Sequence, residues 1–300
     1  MLTLTPTELA SCRTLIELAL AEDLGSTGDR TSEALIPLER QGRAAFVVRT
    51  PGVVAGLPLA QLVCEAVASS IQFEQKIIDG TLVERGSILA IASGPLRPIL
   101  IAERTALNFL QRLSGVASLT SKYVDAVAGT NAKVLDTRKT TPGWRLLEKY
   151  GVRAGGGTNH RIGLYDGILI KDNHLAGLGD PETAVRRAVA LARSFPGNQG
   201  LPVQIEVDTL EQLDQALSVK PEIVLLDNMP LEKLREAVKR RDAVSPTTLL
   251  EASGGINLTT IRGIAEAGVD RISVGAITHS APALDIALDY VGQASRPVIE

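Results

Sequence analysis

The chain has only two cysteines in 300 residues and lacks any long unbroken apolar run. Cys12 and Cys64 each sit in an apolar, helix-like stretch and read as buried free thiols, because a lone disulfide in so large a chain belongs mostly to secreted proteins. The most apolar stretch, Val53 to Ile71, is interrupted by Pro58, Gln61 and Glu65 and is too short in clean apolar length to cross a membrane. A basic segment leading into an apolar one, the mark of a secretory signal, is missing from the N-terminus, so the cytoplasm is the expected location. The net charge of −3 provides no broad positive field, which excludes nucleic acid and anionic membrane as expected partners. No Gly-x-Gly-x-x-Gly fingerprint, no Ser–His–Asp set and no paired-carboxylate signature is visible.

Two textures divide what is there. Residues Thr7 to Leu24 carry apolar positions at a helical period, and the turn Gly25–Gly28 stops them. From Gly42 to about Pro98, short β-rich runs (Ala44–Val48, Ile71–Ile77, Ser87–Ala92) flank a helix at Leu57–Val67, a compact α+β module. Ile99 to about Val127 reads as one long helix, with Gly115 as a possible break. Its polar stripe of Arg104, Asn108 and Arg112 has the spacing of a solvated face. The second half alternates short apolar runs at Lys133–Asp136, Gly167–Ile170, Val203–Val207, Ile223–Leu226, Thr248–Leu250 and Arg271–Val274 with helices at Thr183–Arg193, Leu210–Leu217, Leu231–Arg240 and Leu258–Ala267. Asp208 with Glu211 forms a capping-box pattern, Pro230 suits a first helical turn, and Asn257 suits a cap. Repeated strand–helix units with apolar strands imply a parallel sheet buried on both faces, and without a dinucleotide fingerprint an α/β barrel is expected.

In such a barrel chemistry sits where strands end. Those positions hold Asp136–Thr137–Arg138–Lys139, then Lys171–Asp172–Asn173–His174, Glu206 and Asp208, Asp227 and Asn228, Glu251 leading to Ser253–Gly254–Gly255, and Val274–Gly275–Ala276. Residues 131–174 carry eight Lys or Arg against four acids, a local +4 that leaves −7 for the rest. A cationic focus on an acidic chain suits a small polyanion, with Arg matching carboxylate or phosphate as a fork. The glycine-bearing ends let backbone N–H groups approach a phosphate. Glu206 and Asp227, on neighbouring strand ends, suit Mg²⁺ or sugar hydroxyls, or serve only as helix-flanking acids.

Several segments resemble one family. They are Glu22–Gly25 with Gly28–Ser32, Glu103–Asn108 with Leu113–Gly115, Asp136–Gly143, Gly155–Arg161 and Ile170–His174. Together they look like quinolinate phosphoribosyltransferase over nearly the whole chain. The resemblance implies an N-terminal α/β sandwich (residues 1–115, joined by 281–300) and an incomplete parallel α/β barrel (116–280), working as a homodimer with Mg²⁺. It implies that Arg104 leaves the solvated role and reaches the partner's site. Thr137, Arg138, Lys139, His160, Arg161 and Lys171 would surround quinolinate and pyrophosphate, with Lys139, Lys171, Glu206 and Asp227 carrying the catalysis. Glu206 and Asp227 would hold the ribose hydroxyls and Mg²⁺, while Ser253, Gly254, Gly255, Val274, Gly275 and Ala276 would cradle the 5-phosphate. Three alternatives stay open: a Schiff-base aldolase using Lys171, a nicotinate phosphoribosyltransferase, and a non-catalytic phosphate-binding regulator.

Overall fold

The computed structural model describes residues 2–291. The chain forms two compact units, one of Met1–Ser121, Thr141–Gly156 and Ser280–Glu300, the other of Lys122–Thr140 and Gly157–His279. Of the C-terminal segment 281–300, residues 292–300 lie outside the described residues. In chain order the elements are α1 (Pro6–Leu24), α2 (Arg30–Leu35), β1 (Gln41–Val48), β2 (Gly52–Val53), α3 (Leu57–Val67), β3 (Gln72–Gln75), β4 (Leu82–Val83), β5 (Ile88–Pro95) and α4 (Leu96–Ala126). Then follow β6 (Lys133–Leu135), α5 (Arg145–Ala154), β7 (Ile168–Ile170), α6 (Asp172–Gly177), α7 (Pro181–Ser194), β8 (Val203–Val207) and α8 (Leu210–Ser218). The last are β9 (Ile223–Asp227), α9 (Leu231–Val244), β10 (Leu249–Ser253), α10 (Ile261–Glu266), β11 (Arg271–Ser273), α11 (Ala276–His279) and β12 (Ile286–Tyr290).

The second unit is the incomplete α/β barrel. Its six parallel strands run β6-β11-β10-β9-β8-β7, so the first strand in sequence lies beside the last, and the seam falls between the first and second. Register places Glu206 beside Leu225 and Leu225 beside Glu251, with Glu251 beside Arg271. With a side-chain period of two, these residues share one face, while Val203, Ile205 and Val207 are buried on the other. Helix starts differ in detail from the sequence reading. Thr209 rather than Asp208 caps α8, in a box with Gln212 rather than Glu211. Pro230 is itself the N-cap of α9. Asn257 caps the turn at Thr259 and Thr260, and α10 begins only at Ile261.

The first unit holds an antiparallel sheet ordered β12-β1-β5-β3 with a two-stranded β2-β4 pair. Its core runs from Cys12 and Ile16 of α1 through Phe46, Val63 and Leu89 to Leu107, Phe109 and Leu110 of α4. Both cysteines are free and buried, and burial pushes each thiol up to about 12. The sequence reading left residues 141–156 with the barrel; here they belong to the first unit. Leu147 and Tyr150 of α5 are fully buried in its core, and Trp144 stacks on Phe109 with centroids 4.9 Å apart. Glu148, without solvent exposure, accepts from Arg112 Nη2 at 2.6 Å and from Thr141 Oγ1 at 2.9 Å. Of the polar stripe on α4, Arg104 and Asn108 are exposed and Arg112 is spent on this ion pair.

Gly115 does not break α4. It is glycine because the backbone of Pro282 crosses there: a Cβ would lie 2.1 Å from the Pro282 carbonyl oxygen. Gly115→Ala is expected to cost about 1–3 kcal/mol through overpacking. Gly177→Ala, where nothing lies within 4 Å, should be neutral or stabilising by up to about 1 kcal/mol. Denaturant melts of the two variants check the pair, and equal midpoints would contradict the close approach.

Candidate active site

The carboxyl ends of the barrel strands surround a cavity of about 860 Å³. Thr137, Arg138 and Lys139 enter it from the end of β6, and His160 and Arg161 from the segment at the seam. Lys171 follows β7, Glu206 and Asp227 close β8 and β9, and Ser253, Gly254 and Gly255 follow β10. Gly275 and Ala276 complete the ring after β11. The glycines are dictated by geometry. Gly254 has φ +94°, and a Cβ there would lie 2.1 Å from Asn228 Oδ1, while Asn228 itself is left-handed at φ 51°. At Gly275 a Cβ would meet Lys139 Cδ at 3.1 Å and His279 Nε2 at 3.2 Å. Within the described residues, the N–H groups of Gly254, Gly255, Gly275 and Ala276 donate to no protein group. They are available to an anion.

Charge in this cavity is only partly compensated. Lys171 Nζ lies 2.8 Å from Glu206 Oε2. Arg138 and Lys139 are exposed and have no carboxylate partner among the described residues. Burial, and after it the neighbouring charge of Arg138, pulls the Arg161 guanidinium below its usual range. Two arginines that repel each other gain from an anion placed between them.

Beneath these groups lies a buried polar network. Glu251 has no solvent exposure; its Oε2 accepts from Arg271 Nε at 2.7 Å, and its Oε1 accepts from Ser273 Oγ and lies 3.2 Å from His160 Nε2. Burial alone would raise the Glu251 carboxyl, but His160, Arg271 and Ser273 together bring it down to about 2. Asp136, also fully buried, accepts from Asn159 Nδ2 at 2.6 Å and from the His160 N–H at 2.8 Å.

Comparison with known proteins resolves the family. The model of the quinolinate phosphoribosyl transferase C-terminal domain matches residues 116–289, and that of the N-terminal domain matches residues 29–114. The chain belongs to the quinolinate phosphoribosyl transferase family. It is 45% identical over 288 residues to the nicotinate-nucleotide pyrophosphorylase [carboxylating] of Mycobacterium leprae, covering 95% of this chain and 99% of that one. A probable nicotinate-nucleotide pyrophosphorylase of Bacillus subtilis is 40% identical, covering 89% of each. Among solved structures, the nicotinate-nucleotide pyrophosphorylase of Francisella tularensis superposes with a TM-score of 0.87 at 38% identity, covering 97% of this chain and 99% of that one. No helix among the described residues is long and apolar enough to cross a membrane.

For this family member most of the site residues read from sequence fall in one cavity, and the exceptions are informative. Val274 is buried away from it, and its N–H is spent on the Leu135 carbonyl. Arg104 lies in the other compact unit, exposed on α4. The cationic density of residues 131–174 is divided: Arg138, Lys139, Arg161 and Lys171 line the cavity, while Arg145, Lys149 and Arg153 belong to the first unit, where Arg153 pairs with Glu8. His160 does line the cavity, but its Nδ1 accepts from the Arg161 N–H at 2.7 Å and its Nε2 faces Glu251. Sequence reasoning left out Asn228, Glu251, Ser273 and His279. Glu251 and Ser273 were findable as the same-face neighbours, two residues earlier, of Ser253 and Gly275. No cluster of three metal-ligating side chains occurs among the described residues. Glu206 and Asp227, one near the end of each of two adjacent strands, fit a Mg²⁺ that keeps water and takes its remaining oxygens from a phosphate ligand.

The depressed Glu251 carboxyl makes an acid-stability prediction. A lowered folded pKa contributes stability that is complete above the usual 4.5 and is lost as pH falls toward about 2. The contribution is on the order of 3 kcal/mol. Glu251→Gln should flatten the fall in stability between pH 4.5 and 2; urea melts across that window check it, and an unchanged slope would contradict the assignment.

Proposed function

We propose that the protein transfers the phosphoribosyl group of phosphoribosyl pyrophosphate to quinolinate with loss of CO₂. The products are nicotinate mononucleotide and pyrophosphate, within cytoplasmic NAD biosynthesis. The observation that carries this reading is the cavity itself: four cations, two of them unpartnered, share it with the unpaired N–H groups of two glycine-bearing loops. Family membership and the names of the relatives support it. The Schiff-base alternative finds no support: it needs Lys171 as a neutral nucleophile, whereas here the residue is ion-paired with Glu206.

Both carboxylates of quinolinate are ionised at neutral pH, so an anionic acceptor must be brought to a still more anionic donor. Arg138 and Arg161 take the acceptor carboxylates as forks, while Lys139 and Lys171 take the pyrophosphate as point charges. The N–H groups of Gly254, Gly255, Gly275 and Ala276, with Ser253, hold the 5-phosphate. Glu206 and Asp227 hold the ribose hydroxyls and Mg²⁺, which when bound adds positive charge against the pyrophosphate. As the anomeric C–O bond breaks, positive charge grows on the sugar and negative charge on the departing group, which Lys139 and Lys171 stabilise from fixed positions. The pyridine nitrogen then forms the new C–N bond. Its cationic ring accepts the electron pair released when the adjacent C–C bond cleaves, and a proton replaces CO₂ on the ring carbon. The chain acts as a homodimer in which exposed Arg104 serves the partner subunit's cavity.

Release of pyrophosphate and CO₂ from the two substrates with Mg²⁺ is the primary test; no turnover would remove the reading. Arg138→Ala and Arg161→Ala should each weaken use of quinolinate by roughly 2–5 kcal/mol. Binding of phosphoribosyl pyrophosphate should change little, so equal loss for both substrates would misplace the arginines.

For Arg104, mixing inactive Arg104→Ala and Lys139→Ala subunits should restore activity. In each hybrid, up to about half of the sites combine an intact Arg104 with an intact Lys139. Dead mixtures, despite demonstrated subunit exchange, would place Arg104 at its own chain's site or at none.

A further inference from the structure

Neither ring nitrogen of His160 is free, although the residue lines the cavity. Nδ1 lies 2.7 Å from the Arg161 backbone N–H, which has a proton to give, so Nδ1 is an acceptor. The ring proton therefore belongs on Nε2, facing Glu251 Oε1 at 3.2 Å. A doubly protonated ring would set an N–H against the Arg161 N–H. The imidazole is thus a neutral link between a buried carboxylate and the backbone of the next residue.

Both ends of the link are fixed. Glu251 is held by Arg271, its register partner on β11, at 2.7 Å and by Ser273. The His160 backbone is pinned to buried Asp136 at 2.8 Å. Beyond the ring, Arg161 has its backbone N–H on His160 and its Nη1 on the Gly167 carbonyl at 3.0 Å. A long side chain near a like charge, that of Arg138, otherwise has every reason to swing into solvent.

We propose that Glu251 is a positioning residue for substrate specificity: through the fixed tautomer of His160 it holds Arg161 against the carboxylate-bearing acceptor. The proposal rests on Arg161 serving that acceptor. Glu251 touches no substrate, and His160 neither gives nor takes a proton in the reaction. The relay explains why so deep a carboxylate is tolerated at a place where an apolar side chain would pack.

Two readouts test it. The first is the ¹⁵N spectrum of histidine-labelled protein at neutral pH, with His160 assigned by its loss in His160→Phe. The expected pattern is a protonated Nε2 and a bare Nδ1; a protonated Nδ1 overturns the relay. The second is steady-state kinetics on folded variants. Glu251→Ala and His160→Phe should each raise KM for quinolinate by about tenfold or more while KM for phosphoribosyl pyrophosphate stays within about twofold. The double variant should be no worse than either single one, since both cut the same chain. Glu251→Gln keeps an oxygen for the Nε2 proton and should retain the tautomer and a quinolinate KM within about threefold of the starting protein. Parallel rises in both KM values, or additive effects in the double variant, overturn the proposal. His160→Phe leaves Glu251 with Arg271 and Ser273, so it decides the matter if Glu251→Ala fails to fold: an unchanged quinolinate KM in it overturns the relay. A protein without turnover would refute the proposed activity instead, and the spectrum would still decide the tautomer.

Discussion

A carboxylate with no solvent exposure, Glu251, is the constraint around which the polar interior of the barrel is arranged. Taking an ionised carboxyl out of water costs several kcal/mol unless charged and polar donors meet it there. Arg271 meets it because parallel register puts the two residues side by side, Ser273 because it stands two residues further along the same strand, and His160 because the seam segment passes over β10. Each donor is fixed by a backbone element, so the network is set when the sheet forms. The seam segment, which belongs to no strand, then takes its position from side chains: Asp136 holds its backbone and Glu251 its imidazole.

Above that satisfied layer lies one that the protein leaves unsatisfied. Arg138 and Lys139 carry charge without partners, two consecutive glycines and Asn228 occupy left-handed backbone, and several N–H groups point at no acceptor. Each of these costs folding stability and each is removed by a polyanionic ligand. The contrast between the two layers, one balanced and one waiting for charge, separates support from recognition in this site.

Much of the architecture was legible in the chain. Period-two and period-3.6 apolar patterns located the six barrel strands and the helices between them, since each element must bury one face regardless of its partner. The cationic and glycine-bearing strand ends were legible for the same reason: strands that end together bring their ends together. Local hydrogen bonds were less so. Thr209 displaced Asp208 as a cap because the chain enters α8 one residue later, a choice that composition does not encode.

What the sequence alone determined is the order and type of elements, the two-unit plan, the family, and the residue types at each strand end. Only the tertiary structure decided which charges share a cavity. Residues 131–174 look like one basic segment, yet Leu147, Tyr150 and Trp144 draw α5 into the core of the first unit and take three cations with it. It likewise showed that His160 is a link and Glu251 its anchor. Charge and hydrogen bonding act through distance in space, and residues separated by ninety positions become neighbours only when the sheet is built.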